Sequence, residues 1–249
     1  QSSPVYLLSA QTLCVDTLFL IINLSFLYPS IAKQADLFPP HLQPSALKVF
    51  NVLFMFCWYH NTLSHGLVAL NRLCVIVFAK HALFTRRRTI LICALQYALA
   101  IALSTTTQIL LPCCEFSFSW VVYSYTYIVK PNVENYSNTL VDLPLNCSSS
   151  IISMASYSIV CTALFRCTIR DGIARKHSPN LAHYLTCLYA AQFSFMALVY
   201  SMCWIFFRVF PVILGPTEHL YIYGIITLLG DVNSTTNATV YLVNNAEVR

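Results

Sequence analysis

Six long stretches of this chain hold at most one charged residue each, and that pattern leaves few folds open. They run at about 5–28, 49–78, 88–111, 149–169, 182–207 and 219–244. A run of about 20 apolar residues spans the hydrocarbon core of a bilayer as a helix. Within that core only helices and closed barrels satisfy every backbone N–H and C=O. Barrel strands alternate apolar and polar positions, whereas these runs are continuous. The sequence therefore predicts an all-α membrane protein. Only 9% of the residues are charged and 57% are hydrophobic, against roughly 25% charged in a soluble domain. So little charge cannot solvate a free surface. There is no internal repeat, low-complexity tail or coiled-coil heptad, so residues 1–249 read as a single transmembrane domain.

The connections set an orientation. Lys80, Arg86, Arg87 and Arg88 lie between the second and third runs, and Arg166, Arg170, Arg175 and Lys176 between the fourth and fifth. Short basic loops stay in the cytoplasm, which puts the long 112–148 stretch outside. Asn135 and Asn146 there open glycosylation sequons. The first run then begins on the cytoplasmic side, so a preceding helix with its N-terminus outside is expected. That would make seven helices in all; a six-helix protein is the alternative. The eight basic residues of these loops are explained by topology, and nothing points to nucleic acid.

Polar residues inside the runs are the candidates for function. Asp16 sits in the first run, where a carboxylate is costly unless paired or functional. Trp58, Asn61, His65, Val68 and Arg72 follow one face of the second run at helical spacing. Such a face points into a bundle or a cavity. Trp58, Asn61 and His65, with Tyr200 and Trp204, are the ligand-pocket candidates; His65 reads equally as a hydrogen-bonded interior histidine. Arg72 at the inner helix end would on its own simply reach the interface. Asn233, Asn237 and Tyr241 stand at i, i+4 and i+8 on one face of the last run. Their amides need partners in the bundle interior, as structural glue, as part of a switch, or as both.

Asn71-Arg72-Leu73 resembles the Asp-Arg-Tyr motif of rhodopsin-like G-protein-coupled receptors, and Asn237-Ala238-Thr239-Val240-Tyr241 resembles their Asn-Pro-x-x-Tyr motif. Cys203-Trp204-Ile205-Phe206 is similar to the Cys-Trp-x-Pro toggle, with Phe206 in place of proline. Asp16 resembles the second-helix aspartate that meets the seventh-helix asparagine. Together with Ala191-Gln192-Phe193 and the ending Asn244 to Arg249, the chain is most similar to the nematode serpentine chemoreceptors of class X. The resemblance implies a seven-transmembrane receptor bundle with helices 2–7 present and the first helix absent. It implies a plasma-membrane receptor that binds a small-molecule ligand from outside and signals to a heterotrimeric G protein. Asp16, Asn71, Arg72, Asn237 and Tyr241 would then form the activation and coupling machinery. Asn71 replaces an acid, so an adjacent ion-pair lock to Arg72 cannot form. The family ties its outer loop to a cysteine at the outer end of the third helix. None stands from Ala46 to Phe56, and Cys57, 15 residues from Arg72, lies only about 22 Å along the helix from it. A bridge within the loop, Cys114 (or Cys113) to Cys147, is expected instead.

A multi-pass transporter or channel is the rival reading, and a truncated, non-signalling receptor product is another. A transporter would want paired intramembrane charges or Gly- and Pro-broken helices. Here Asp16 and Asp231 are the only carboxylates well inside the runs, and the chain has five glycines. An enzyme is not expected: there is no zinc spacing or nucleophile motif, and no cofactor motif. His60 and His65 stand i, i+5, which is poor ligand geometry. Tags on both ends, probed with and without permeabilisation, should report both as cytoplasmic. Ends on opposite sides would show the helix count or orientation to be wrong.

Overall fold

The computed structural model describes residues 4–79, 81–128, 132–174, 191–192, 194–207 and 223–244. Helix α1 runs over Pro4–Ile22, widens by one π-helical turn at Asn23–Leu27 and finishes at Tyr28–Lys33. The wide turn has a local cause. Pro29 has no N–H to donate back along the helix, and a wider turn absorbs the missing bond. Gln34 closes the helix in the left-handed region, φ 50°. Helix α2 covers Gln43–Arg72 and continues through Leu73–Val77. Helix α3, Arg86–Thr105, is capped by the Thr85 side chain, which accepts from Arg88 N–H, and is extended by Thr106–Leu110. A two-stranded hairpin follows, β1 Phe116–Ser119 and β2 Ser124–Tyr127. Its antiparallel register pairs Phe116 with Tyr127 and Ser119 with Ser124. Helix α4 starts with a wide turn at Ser137–Asp142 and runs through Leu143–Ala174. The described part of α5 is Ser194–Phe207, and α6 is Tyr223–Asn244. The first part of the run expected at 182–207 lies outside the described residues.

Six helices are thus described, yet only three are long and apolar enough to cross a membrane by composition alone: Tyr6–Lys33, Arg86–Leu110 and Ser137–Arg166. Helix α2 misses that mark for a physical reason. It packs against α1, α3 and α4 and buries Asn51, His60, Asn61, His65 and Asn71 among its core residues. A helix surrounded by other helices has little lipid to satisfy. The long loop expected at 112–148 is shorter than the sequence suggests, because α4 with its first wide turn already begins at Ser137.

Apolar packing falls into two clusters. One joins α1 (Phe19, Phe26), α2 (Phe54, Met55) and the hairpin (Phe116, Tyr125). The other joins Leu8, Val68, Tyr157 and Met196 nearer the Arg72 end. Between them along α1 and α2 lie Asp16, Asn61 and His65, all buried. α2 and α4 approach closely at Gly66, where an added Cβ would stand 3.4 Å from Ser149 Oγ. Gly66→Val should therefore force α4 outward at an overpacking cost of about 1–3 kcal/mol. A lowered melting midpoint of the purified protein in detergent would register it; an unchanged midpoint would mean that the contact carries no load.

Candidate functional site

The hairpin forms a roof over the bundle, held by side chains from two helices. Asn51 Nδ2 donates to Ser117 Oγ at 3.0 Å, and Phe118 N–H donates to Asn51 Oδ1 at 3.3 Å. On the other side, the Ser124 and Thr227 hydroxyls lie 3.1 Å apart. The Phe54 ring stacks on Tyr125 with centroids 3.7 Å apart. Burial holds the Tyr125 phenol well above its usual titration range, so it remains a neutral O–H.

Beneath this roof is a cavity. Phe19, Phe54, Trp58, Phe116, Tyr125, Tyr127 and Phe207 supply aromatic walls, and Ser124, Thr227 and Asp142 the polar points. Such a space, apolar with a few polar groups, is the form small-molecule sites take. Below it is a second, smaller cavity, lined by Asn61, Tyr200, Asn233 and Ser234. Phe19, Trp58, Cys203 and Gly230 line both.

Two polar clusters brace these walls. Asp142 accepts from Trp58 Nε1 at 3.0 Å and from Asn146 Nδ2 at 2.8 Å. The Tyr200 hydroxyl reaches Asn146 Oδ1 at 2.6 Å and Thr62 Oγ1 at 3.1 Å. These bonds tie α2, α4 and α5 together. The second cluster centres on Asp16, which is 1% exposed. Its two carboxylate oxygens accept from Asn61 Nδ2 at 2.8 Å and from Asn237 Nδ2 at 2.9 Å, so one carboxylate joins α1, α2 and α6. Asp231 makes a further α6–α1 link, accepting from Asn23 Nδ2 at 2.6 Å and from the Tyr28 hydroxyl.

The residues singled out in the sequence are distributed unevenly. Trp58 lines both cavities, and Asn61 and Tyr200 line the lower one. His65 stacks on Tyr200, centroids 4.3 Å apart, and faces a smaller, inner cavity with Asn237. Trp204 lines none of these three cavities; Cys203 and Phe207 take that place, because Trp204 is turned to a neighbouring face of α5. Asn71 is buried at the far end of α2, its side-chain amide without a hydrogen-bond partner among the described residues. Arg72 follows it at the helix end. Tyr241 is on the last turns of α6, its side chain outside the described residues.

One expectation is corrected. The bridge from Cys114 to Cys147 does not form: Cys113 is bonded to Cys114, and Cys147 is a free thiol. Cys147 belongs to α4 rather than to a loop, which removes the freedom such a bridge needs. Asn146, expected as a second glycan acceptor, lies in α4. It is fully buried inside α4 and its amide is spent on Asp142. Asn135, half-buried just before α4, stays accessible. The sequence reading missed Asn51, Thr62 and Asp142. Asn51 and Thr62 extend the polar face of α2 at spacings of seven and four residues around Trp58, a signal that was there to be read. Asp142 was hidden because its segment read as loop.

The fold defined by these helices is that of the rhodopsin-like receptors. The crystal structure of squid rhodopsin superposes with a TM-score of 0.78 at 13% identity, covering 100% of this chain and 74% of that one. The model of the serpentine type 7TM GPCR chemoreceptor Srx family matches residues 2–174, and the chain belongs to that family. No curated protein matches its sequence.

Expressed in a glycosylating cell, the protein should carry its loop glycan on Asn135 alone. Asn135→Gln should abolish the enzyme-sensitive gel shift and Asn146→Gln should leave it in place; a shift that depends on Asn146 would contradict its burial.

Proposed function

We propose that this chain is a chemosensory receptor that takes a small molecule from the extracellular side into the roofed aromatic cavity and signals to a heterotrimeric G protein. One observation supports the reading above others. The cavity walls and the Asp16 cluster share a helix, α2, on which Trp58 and Asn61 are three residues apart. Occupancy at Trp58 is therefore felt by the carboxylate that joins α1, α2 and α6. Ligand shifts the population toward whichever helix arrangement it binds better. Arg72 closes the far end of the same helix, 14 residues beyond Trp58, or about 21 Å away. There it would meet the G protein, with Arg86, Arg87 and Arg88 beside it. Asn71, its neighbour in sequence, stands where the related receptors carry an acid.

The test is a G-protein dissociation assay on cells expressing the chain, run with a panel of volatile and water-soluble small molecules. Arg72→Ala should abolish the response at unchanged surface level. Asn71→Asp should lower basal signalling severalfold by giving Arg72 an anionic neighbour. A response that survives Arg72→Ala at full strength would move the transporter or channel reading ahead.

A further inference from the structure

The disulfide found among the described residues joins neighbours in sequence, Cys113 and Cys114. A disulfide stabilises a fold mainly by constraining the unfolded chain, and more so the longer the loop it closes. A bridge with no residue between its ends closes no loop, so this one is not a staple. What it fixes is local. Cys114 stands at φ 74°, in the left-handed region that residues with a side chain seldom adopt. The small ring formed by the bridge contains the Cys114 N–Cα bond, so that torsion cannot turn freely while the bridge stands.

That torsion aims the start of the roof. On its upstream side the Ser137 hydroxyl donates to Thr107 C=O at 3.0 Å and reaches Cys113 C=O at 3.5 Å, which pins the chain to the ends of α3 and α4. On its downstream side Glu115 C=O accepts from Ile128 N–H at 3.0 Å, and Phe116 opens β1. Phe116 lines the upper cavity. Its ring centroid lies 5.7 Å from those of Phe54 and Tyr125 and 5.6 Å from that of Phe207. A turn about Cys114 therefore swings β1 against the helices. Cys113 and Cys114 are both buried, between exposed Pro112 and Glu115. A reagent thus meets the bridge when the hairpin lifts.

We propose that the Cys113–Cys114 bridge is a reversible thiol–disulfide switch of the roof: bridged, it holds β1 over the cavity; reduced by a low-molecular-weight thiol from the extracellular side, it lets the hairpin loosen. The thiolate of the reductant attacks one sulfur, and the S–S bond breaks onto the other, which takes up a proton. A second molecule of reductant attacks the mixed disulfide. Both cysteines end as thiols and the two reductant molecules as their disulfide. The two thiols stay adjacent in the chain, so re-oxidation by the disulfide of the same reductant needs no refolding. The switch concerns the roof alone and does not depend on which ligand binds or on G-protein signalling.

The experiment uses the purified full chain in lipid nanodiscs, with reduced glutathione as the reductant and oxidised glutathione to reverse it. Alkylation and peptide mass spectrometry report the thiols at Cys113 and Cys114, and hydrogen exchange follows the hairpin, residues 116–127. Glutathione should open the bridge and speed exchange of the hairpin amides by about 10-fold, the order by which one left-handed residue is disfavoured. Oxidised glutathione should restore slow exchange. Cys113→Ser/Cys114→Ser should exchange like the reduced protein in either buffer. Cys113→Ser/Cys114→Gly should exchange slowly with no bridge at all, because glycine takes the left-handed region readily. Asn51→Ala, which releases the hairpin from α2, should speed reduction severalfold. A bridge that resists glutathione would overturn the inference, and so would reduction that leaves hairpin exchange unchanged. Equal exchange in the serine and glycine variants, a glutathione response that persists in the serine variant, or a reduction rate unmoved by Asn51→Ala would each do the same. If the serine variant does not fold, the unsubstituted protein with and without glutathione decides.

Discussion

A carboxylate buried within a helix bundle is intolerable alone, and the interior of this protein is arranged around that fact. Asp16 is met by Asn61 from α2 and Asn237 from α6. Removing either donor leaves a buried carboxyl oxygen short of a hydrogen bond, which costs its desolvation. The three helices are thereby tied together at that depth. The apolar clusters sit on either side, one toward the hairpin and one toward Arg72.

The roof depends on a different balance. A two-stranded hairpin is marginal by itself in water. Here its strands bury Phe116, Phe118 and Tyr125, and Asn51 and Thr227 tie it to α2 and α6. Of these residues, Phe116, Tyr125 and Thr227 also line the cavity. Binding and folding are therefore linked, because whatever fills the cavity also packs the roof.

How much of this could be read from the residues depends on the kind of signal. The resemblance sets Asp16 opposite Asn233 or Asn237, and of the two the structure brings Asn237 to hydrogen-bonding distance. Trp58 and Asn61 followed from spacing on one helix face. Trp204 was named through its likeness to the Cys-Trp-x-Pro motif, and in the structure the adjacent Cys203 takes the side of these cavities. The Asn146 sequon is a local string, while its availability depends on the helix that contains it, and α4 buries that residue. Cys114 and Cys147 fit a bridge by loop logic that vanished once α4 began at Ser137.

The sequence by itself determined the class of the molecule. Long runs with at most one charge can only be membrane helices, since the bilayer leaves the backbone no other way to satisfy itself. It also determined which polar residues must find partners inside. Only the tertiary structure decided which partners those were. It set Tyr200 against Asn146 and Thr62, Trp58 against Asp142, and the hairpin over the bundle. Those pairings join segments up to 138 residues apart, and geometry at that range is settled by packing of whole helices, which no local pattern encodes.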